Sequence, residues 1–271
     1  MSSSLGDYTP AVASSKDESL KLEAHTDAQG VTTYHLRTRD NKTQIETEKT
    51  FDSEQRLIRI VKHSASSQSE TELDPESGST LRITEHNSLP DGSRLTKETN
   101  YAEGNQSNES VVVISAEGEI IRLVERQMVG MHTVFQGQTE HHGGKPQTTV
   151  NHYVDIETGR LMRREQIQWQ DVKQRSATEN LYFDEVGYVT RFTKTIFYVG
   201  AGAFLEESQE FYSASDALHR RELCVYNTHG VRTCLDVVEY TDDGEITERM
   251  SQFFDDDGNP VQDSTNEPYE I

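Results

Sequence analysis

Proline, cysteine and tryptophan are scarce in this 271-residue chain, with six, two and one copies. Apolar residues supply only 32% of it, and no apolar run approaches the roughly 18 residues that a membrane-spanning helix requires. Alanine is sparse, and no long window holds apolar residues at helical spacing, which argues against a helical domain. Asp17 to Leu22 is the one stretch read as a short helical turn. Basic residues are also few: 26 Lys and Arg stand against 47 Asp and Glu, leaving a formal charge of −21. A surface of that sign repels nucleic-acid phosphates and anionic lipid, so neither is an expected partner. Arg160, Arg163 and Arg164, with the pair Arg220–Arg221, are too few to make a basic stripe. The start of the chain has no basic segment followed by an apolar one, so no secretory signal is visible, and a cytoplasmic setting is expected.

What the chain has in quantity is β-branched and aromatic residues in short runs. Leu57–Val61, Val111–Ile114, Ile120–Phe135, Thr195–Val199 and Leu235–Tyr240 all read as strands, separated by Asp, Asn, Ser and Gly. The glycines recur with a step. Gly78 and Gly92, then Gly230, Gly244 and Gly258, follow one another at intervals of about 14 residues, the length of one strand plus one tight turn. On that step the interior holds on the order of 15 to 17 strands joined as consecutive hairpins. Met1 to Lys16, rich in Ser, Ala and Pro, is expected to be a disordered arm. The β-hairpin-repeat domain is expected over 17–258, and a flexible tail over 259–271.

The turns share a motif: an aromatic or apolar residue, Asp or a similar small polar residue, two or three polar residues, Gly, a variable residue, then a β-former. Tyr153–Leu161, Tyr182–Thr190, Tyr226–Val231, Tyr240–Ile246 and Phe253–Asn259 are copies, and Phe51–Leu57 is a copy without its glycine. The polar side chain can accept a backbone N–H two residues on, and Gly supplies the positive φ that closes the turn. This pattern resembles the YD repeats of Rhs-type polymorphic toxin proteins, and the short hairpin repeats of MORN-like antitoxin proteins. The step departs from the roughly twenty residues of YD repeats, and the chain is too short to enclose a toxin. The resemblance therefore implies a long, curved β-sheet.

Chemistry-bearing residues are few. Cys224 and Cys234 lie five residues either side of His229, so a symmetric hairpin would set them directly opposite each other, within disulfide range. Without a secretion signal they are expected to stay thiols. His141–His142 sits beside Gly143–Gly144 at an expected hairpin tip. His132 and His152 flank that tip and could face each other, but two ligands do not make a zinc site. Asp255–Asn259 looks calcium-like, yet setting Gly258 at the sixth loop position puts Phe253 where the first acidic ligand belongs. Gly200–Phe204 lacks the third glycine of a dinucleotide loop, and Gly143–Gly144–Lys145 runs into Pro146 rather than Ser or Thr. Asp171 and Glu239, each inside an apolar run, are the acids for which burial and a raised pKa are expected.

The expected fold is all-β, a large antiparallel up-and-down meander, either a curved open sheet or a wide barrel. The expected function is a non-enzymatic interaction or scaffold module presenting an acidic sheet to a protein partner, one that is basic or that adds a strand. No cofactor, metal or catalytic residue is assigned. The alternative is a barrel holding an apolar small molecule among Trp169, Phe192, Phe197, Tyr198 and Phe204.

Overall fold

The computed structural model describes residues 21–197, 204–213 and 217–261. The arm expected over 1–16, the glycine-rich run 200–204 apart from the backbone of Phe204, and all of the expected tail beyond Val261 lie outside them. Every described element is a strand and every pairing is antiparallel, in an up-and-down meander that is open rather than a closed barrel. Nineteen strands are present, more than the glycine step predicts. The excess comes from two-residue turns that carry no Asp-x-x-Gly signature, such as Gly130–Met131 and Val172–Lys173. Ile120–Phe135, expected as one strand, is therefore a hairpin that turns at Gly130–Met131.

The chain divides into two compact units, Met1–Glu85 and His86–Ile271. In the first, β1 (Lys21–Thr26), β2 (Thr32–Asp40), β3 (Ile45–Phe51), β4 (Leu57–His63) and β5 (Ser67–Leu73) pair in chain order. Of the helical turn expected over Asp17 to Leu22, Lys21 and Leu22 belong instead to β1, whose backbone pairs along β2, and 17–20 lie outside the described residues. β6 (Thr80–Ser88) spans the division. The second unit runs through β7 (Arg94–Ala102), β8 (Asn105–Ile114), β9 (Ile120–Val129), β10 (His132–His142), β11 (Lys145–Val154) and β12 (Leu161–Asp171). It continues with β13 (Gln174–Phe183), β14 (Val189–Phe197), β15 (Phe204–Tyr212), β16 (Leu218–Tyr226), β17 (Arg232–Tyr240), β18 (Ile246–Phe254) and the two-residue β19 (Pro260–Val261).

Local chemistry explains the hairpins. Asp184 accepts the backbone N–H groups of Val186, Gly187 and Tyr188 at 2.8–2.9 Å, while Gly187 sits at φ +101°. A side chain that gathers three amides nucleates the turn, and a residue without Cβ closes it. Asp27, Asp52, Asp155, Asn227 and Asp255 each gather two amides in the same way. In the copy that lacks glycine, Gln55 takes the left-handed conformation itself, at φ +62°.

Within each unit, every extensive contact between described strands joins a strand to the one before or after it, so among the described residues no second layer covers the sheet. The buried core of the described residues is Val61, Val113, Ile167, Val237 and Val238, and no described side chain is fully buried. Burial in one layer comes from neighbours on the same face. Ile167, 3% exposed, lies between Thr149 and Thr178 on the adjoining strands, and the Trp169 indole N–H reaches back to Thr149 Oγ1 at 2.8 Å.

The same face carries a ladder of rings and guanidiniums. The register aligns Phe135, Tyr153, Arg163, Tyr182 and Arg191 across β10 to β14. Arg163 lies 3.9 Å over the Tyr153 ring and Arg191 4.0 Å over Tyr182, while the Phe135 and Tyr153 rings meet at 5.3 Å. Each stack hides apolar area without needing a second layer. On the opposite face of β8, Glu109 joins Lys97 at 3.0 Å and Arg126 at 2.6 Å. Burial pushes the Glu109 carboxyl up, but the hydrogen bond and charge of Lys97, with Arg126, outweigh that and hold it below its ordinary value.

Candidate interaction surface

The second unit offers its barest strand near its end. In β18, ITERMSQFF, only Gln252 and Phe254 are part-covered, and Ile246, Met250 and Phe253 are 61%, 49% and 41% exposed. On its inner side β18 pairs with β17 from Ile246 to Phe253. On its outer side the described residues supply only β19, which meets Phe253 and Phe254. Asp255 N–H donates to the Asn259 carbonyl at 3.0 Å on that outer side. Strand alternation then turns the backbone groups of Phe253, Ser251 and Arg249 outward, up to the register shift at Thr247. From Thr247 to Ser251 that edge meets no described strand.

Two acidic turns bracket this edge. Thr241–Glu245 carries Asp242, Asp243 and Glu245, and Asp255–Asn259 carries three successive aspartates. Arg249 is engaged on β17: it donates to both Asp236 oxygens at 3.2–3.3 Å, and Ser251 Oγ donates to the same carboxylate. Glu248 beside it is exposed. The edge is thus acidic, most strongly at its two turns, and carries Ile246, Met250 and Phe253 as its exposed apolar side chains.

The residues singled out from sequence fall elsewhere. Cys224 stands opposite Leu235 and Cys234 opposite Val225, so the cysteines are offset by one residue and alternate onto opposite faces. A register shift beside Tyr226 breaks the symmetry that would have matched them. Neither is in a disulfide, and burial pushes both thiols up, away from the reactive thiolate. His141 and His142 do flank the Gly143–Gly144 tip, but His152 faces Gln136 and His132 faces Val129, so those two do not meet. Among the described residues no three His, Cys, Asp or Glu side chains converge as metal ligands.

Asp171 is exposed rather than buried. The Val172 N–H and then Lys145 hold its carboxyl below the ordinary value, the reverse of the expected shift. Glu239 accepts Arg220 Nη1 at 3.2 Å. The calcium-like Asp255 side chain spends its oxygens on the Asp257 and Asn259 amides as a turn cap. Trp169 shares the face of Ile167, whereas Phe192 pairs with Leu181 on the other. The rings proposed as a common lining are therefore divided between two faces; Tyr198 and the Phe204 side chain lie outside the described residues.

No family model matches the chain, and no curated protein matches it. No described helix is long and apolar enough to cross a membrane. Reasoning from sequence missed the open edge and the Arg–Tyr ladder. The ladder did leave a trace: Tyr153 and Tyr182 each stand two residues before a capping Asp, and Arg163 and Arg191 each stand four after the turn glycine.

Proposed function

We propose that this chain is a non-enzymatic interaction module that presents its acidic β-sheet to a protein partner. The observation that carries the reading is the single-layer packing, which leaves apolar side chains such as Ile246, Met250 and Phe253 in solvent with nothing of the described chain over them. An enzyme or small-molecule carrier places its chemistry in a concave, mostly apolar pocket; this sheet instead spreads its groups along faces and an edge. The charge of −21 speeds encounter with a basic partner and discourages self-association. A cytoplasmic setting suits the two unpaired thiols.

The reading is tested by cross-linking in cells followed by purification of the tagged full chain and mass spectrometry. A stoichiometric protein partner with a basic surface is the expected product. Recovery of the chain alone, at every cross-linker length, would count against it.

A further inference from the structure

From the bare outer edge of β18 and the acidic turns at its two ends, we infer that β18 accepts an added strand: an extended segment of a partner, with alternating β-forming side chains between Lys or Arg at both ends. This deepens the function proposed above and rests on it.

The backbone decides the mode. Arg249 and Ser251 direct donors and acceptors outward, so an incoming extended chain can continue the ladder with main-chain hydrogen bonds. Edges are commonly guarded by lysine, proline or a bulge; here the one register shift falls at Thr247, next to the first acidic turn, and none of these occurs from Glu248 to Ser251. Side chains decide the character of the guest. Met250 on one face and Phe253 on the other are both half-exposed, so an added strand gains apolar contact on either side. The nine-residue β18 spans roughly 30 Å, which sets the two acidic turns, and hence the guest's basic ends, about nine residues apart.

The chain's own continuation is a poor guest. Antiparallel extension from Val261 would run residues 262–268 back along the edge, and QDSTNEP is poor in β-formers and ends on Pro268. Glu267 would also fall opposite Thr247, beside the carboxylates of Asp242, Asp243 and Glu245. Charge complementarity favours a basic segment in their place.

The test uses the full chain and a fluorescein-labelled peptide of about ten residues, with two lysines at each end and alternating Val and Thr between. Saturable binding is expected, weaker by about tenfold or more when glutamates replace the lysines, and weakened again by high salt. Ser251→Pro removes one outward N–H without touching the β17 ladder, and should weaken binding at least about fivefold. Asp242→Asn with Asp243→Asn and Glu245→Gln should also weaken it and flatten the salt dependence. Should Ser251→Pro disturb folding, hydrogen exchange on the unmodified chain provides a separate readout: peptide should slow the Arg249 and Ser251 amides.

No binding by the basic peptide, equal binding by the acidic one, or peptide protection away from those two amides would overturn the inference. If a folded Ser251→Pro chain still captures the wild-type partner from cells, the docking edge is refuted while the interaction module stands. Loss of any partner by the wild-type chain refutes the module itself.

Discussion

β12 and β18 are built from similar material and end in opposite states. Each mixes apolar, charged and uncharged polar residues, each lies in the same single-layer unit, and each pairs with its chain neighbours. Yet Ile167 in β12 is 3% exposed and Met250 in β18 is 49% exposed. The difference is the number of complete strands alongside. Ile167 has Thr149 on one side, Thr178 on the other and Trp169 bridging along the face; Met250 has Val237 on one side only. In a one-layer sheet, burial is a property of position in the row rather than depth beneath a surface.

The comparison is most sharply challenged by truncating both side chains. Ile167→Ala should cost about 2–4 kcal/mol, whereas Met250→Ala should change stability by less than about 0.5 kcal/mol, both read from urea unfolding. Similar losses at the two sites would show that β18 is covered in solution. The stacks at the centre come next. Arg191→Ala should cost about 0.5–1 kcal/mol by uncovering Tyr182, and should loosen hydrogen exchange in β13 and β14 but not in β18.

Turn chemistry sets a comparable scale. Gln55→Gly relieves a left-handed non-glycine residue and should stabilise the first unit by about 0.5–1 kcal/mol, seen as a higher denaturation midpoint.

The smallest effect at any one turn is acid sensitivity. Backbone N–H donors, from Arg56, Ser77, Thr158, Tyr188 and Asn259 in turn, hold Asp52, Asp74, Asp155, Asp184 and Asp255 below the ordinary carboxylate value. A depressed folded value means stabilisation that is complete above the unfolded value of about 3.9 and is lost as pH falls through the lower folded values. Amide exchange at the Asp184 turn should therefore accelerate in acid beyond its intrinsic rate. The Asn227 turn, whose neutral cap accepts the amides two and four residues on, serves as the internal control. Equal acid response at both turns would remove the carboxylates from the explanation.

Much of the fold was legible because its information is local. An Asp that gathers amides and a Gly at positive φ act within five residues, so the turns at Tyr153–Leu161 and Tyr182–Thr190 could be found by inspection. The shortest hairpins escaped because Gly130–Met131 and Val172–Lys173 lack that signature. The cysteine match failed for a related reason: one shifted residue beside Tyr226 moves Cys224 and Cys234 to opposite faces, and the spacing around His229 does not encode that shift. The edge was hidden because exposure at β18 depends on which strand follows it, not on ITERMSQFF itself.

By itself, then, the sequence determined the antiparallel meander, its turns and its acidity, since all three follow from neighbouring residues and composition. Only the tertiary structure decided that the meander stays open, that arginines lie over tyrosines from adjoining strands, and that β18 from Thr247 to Ser251 meets no described strand on its outer side. Those features depend on register and strand order, which bring together residues ten or more positions apart.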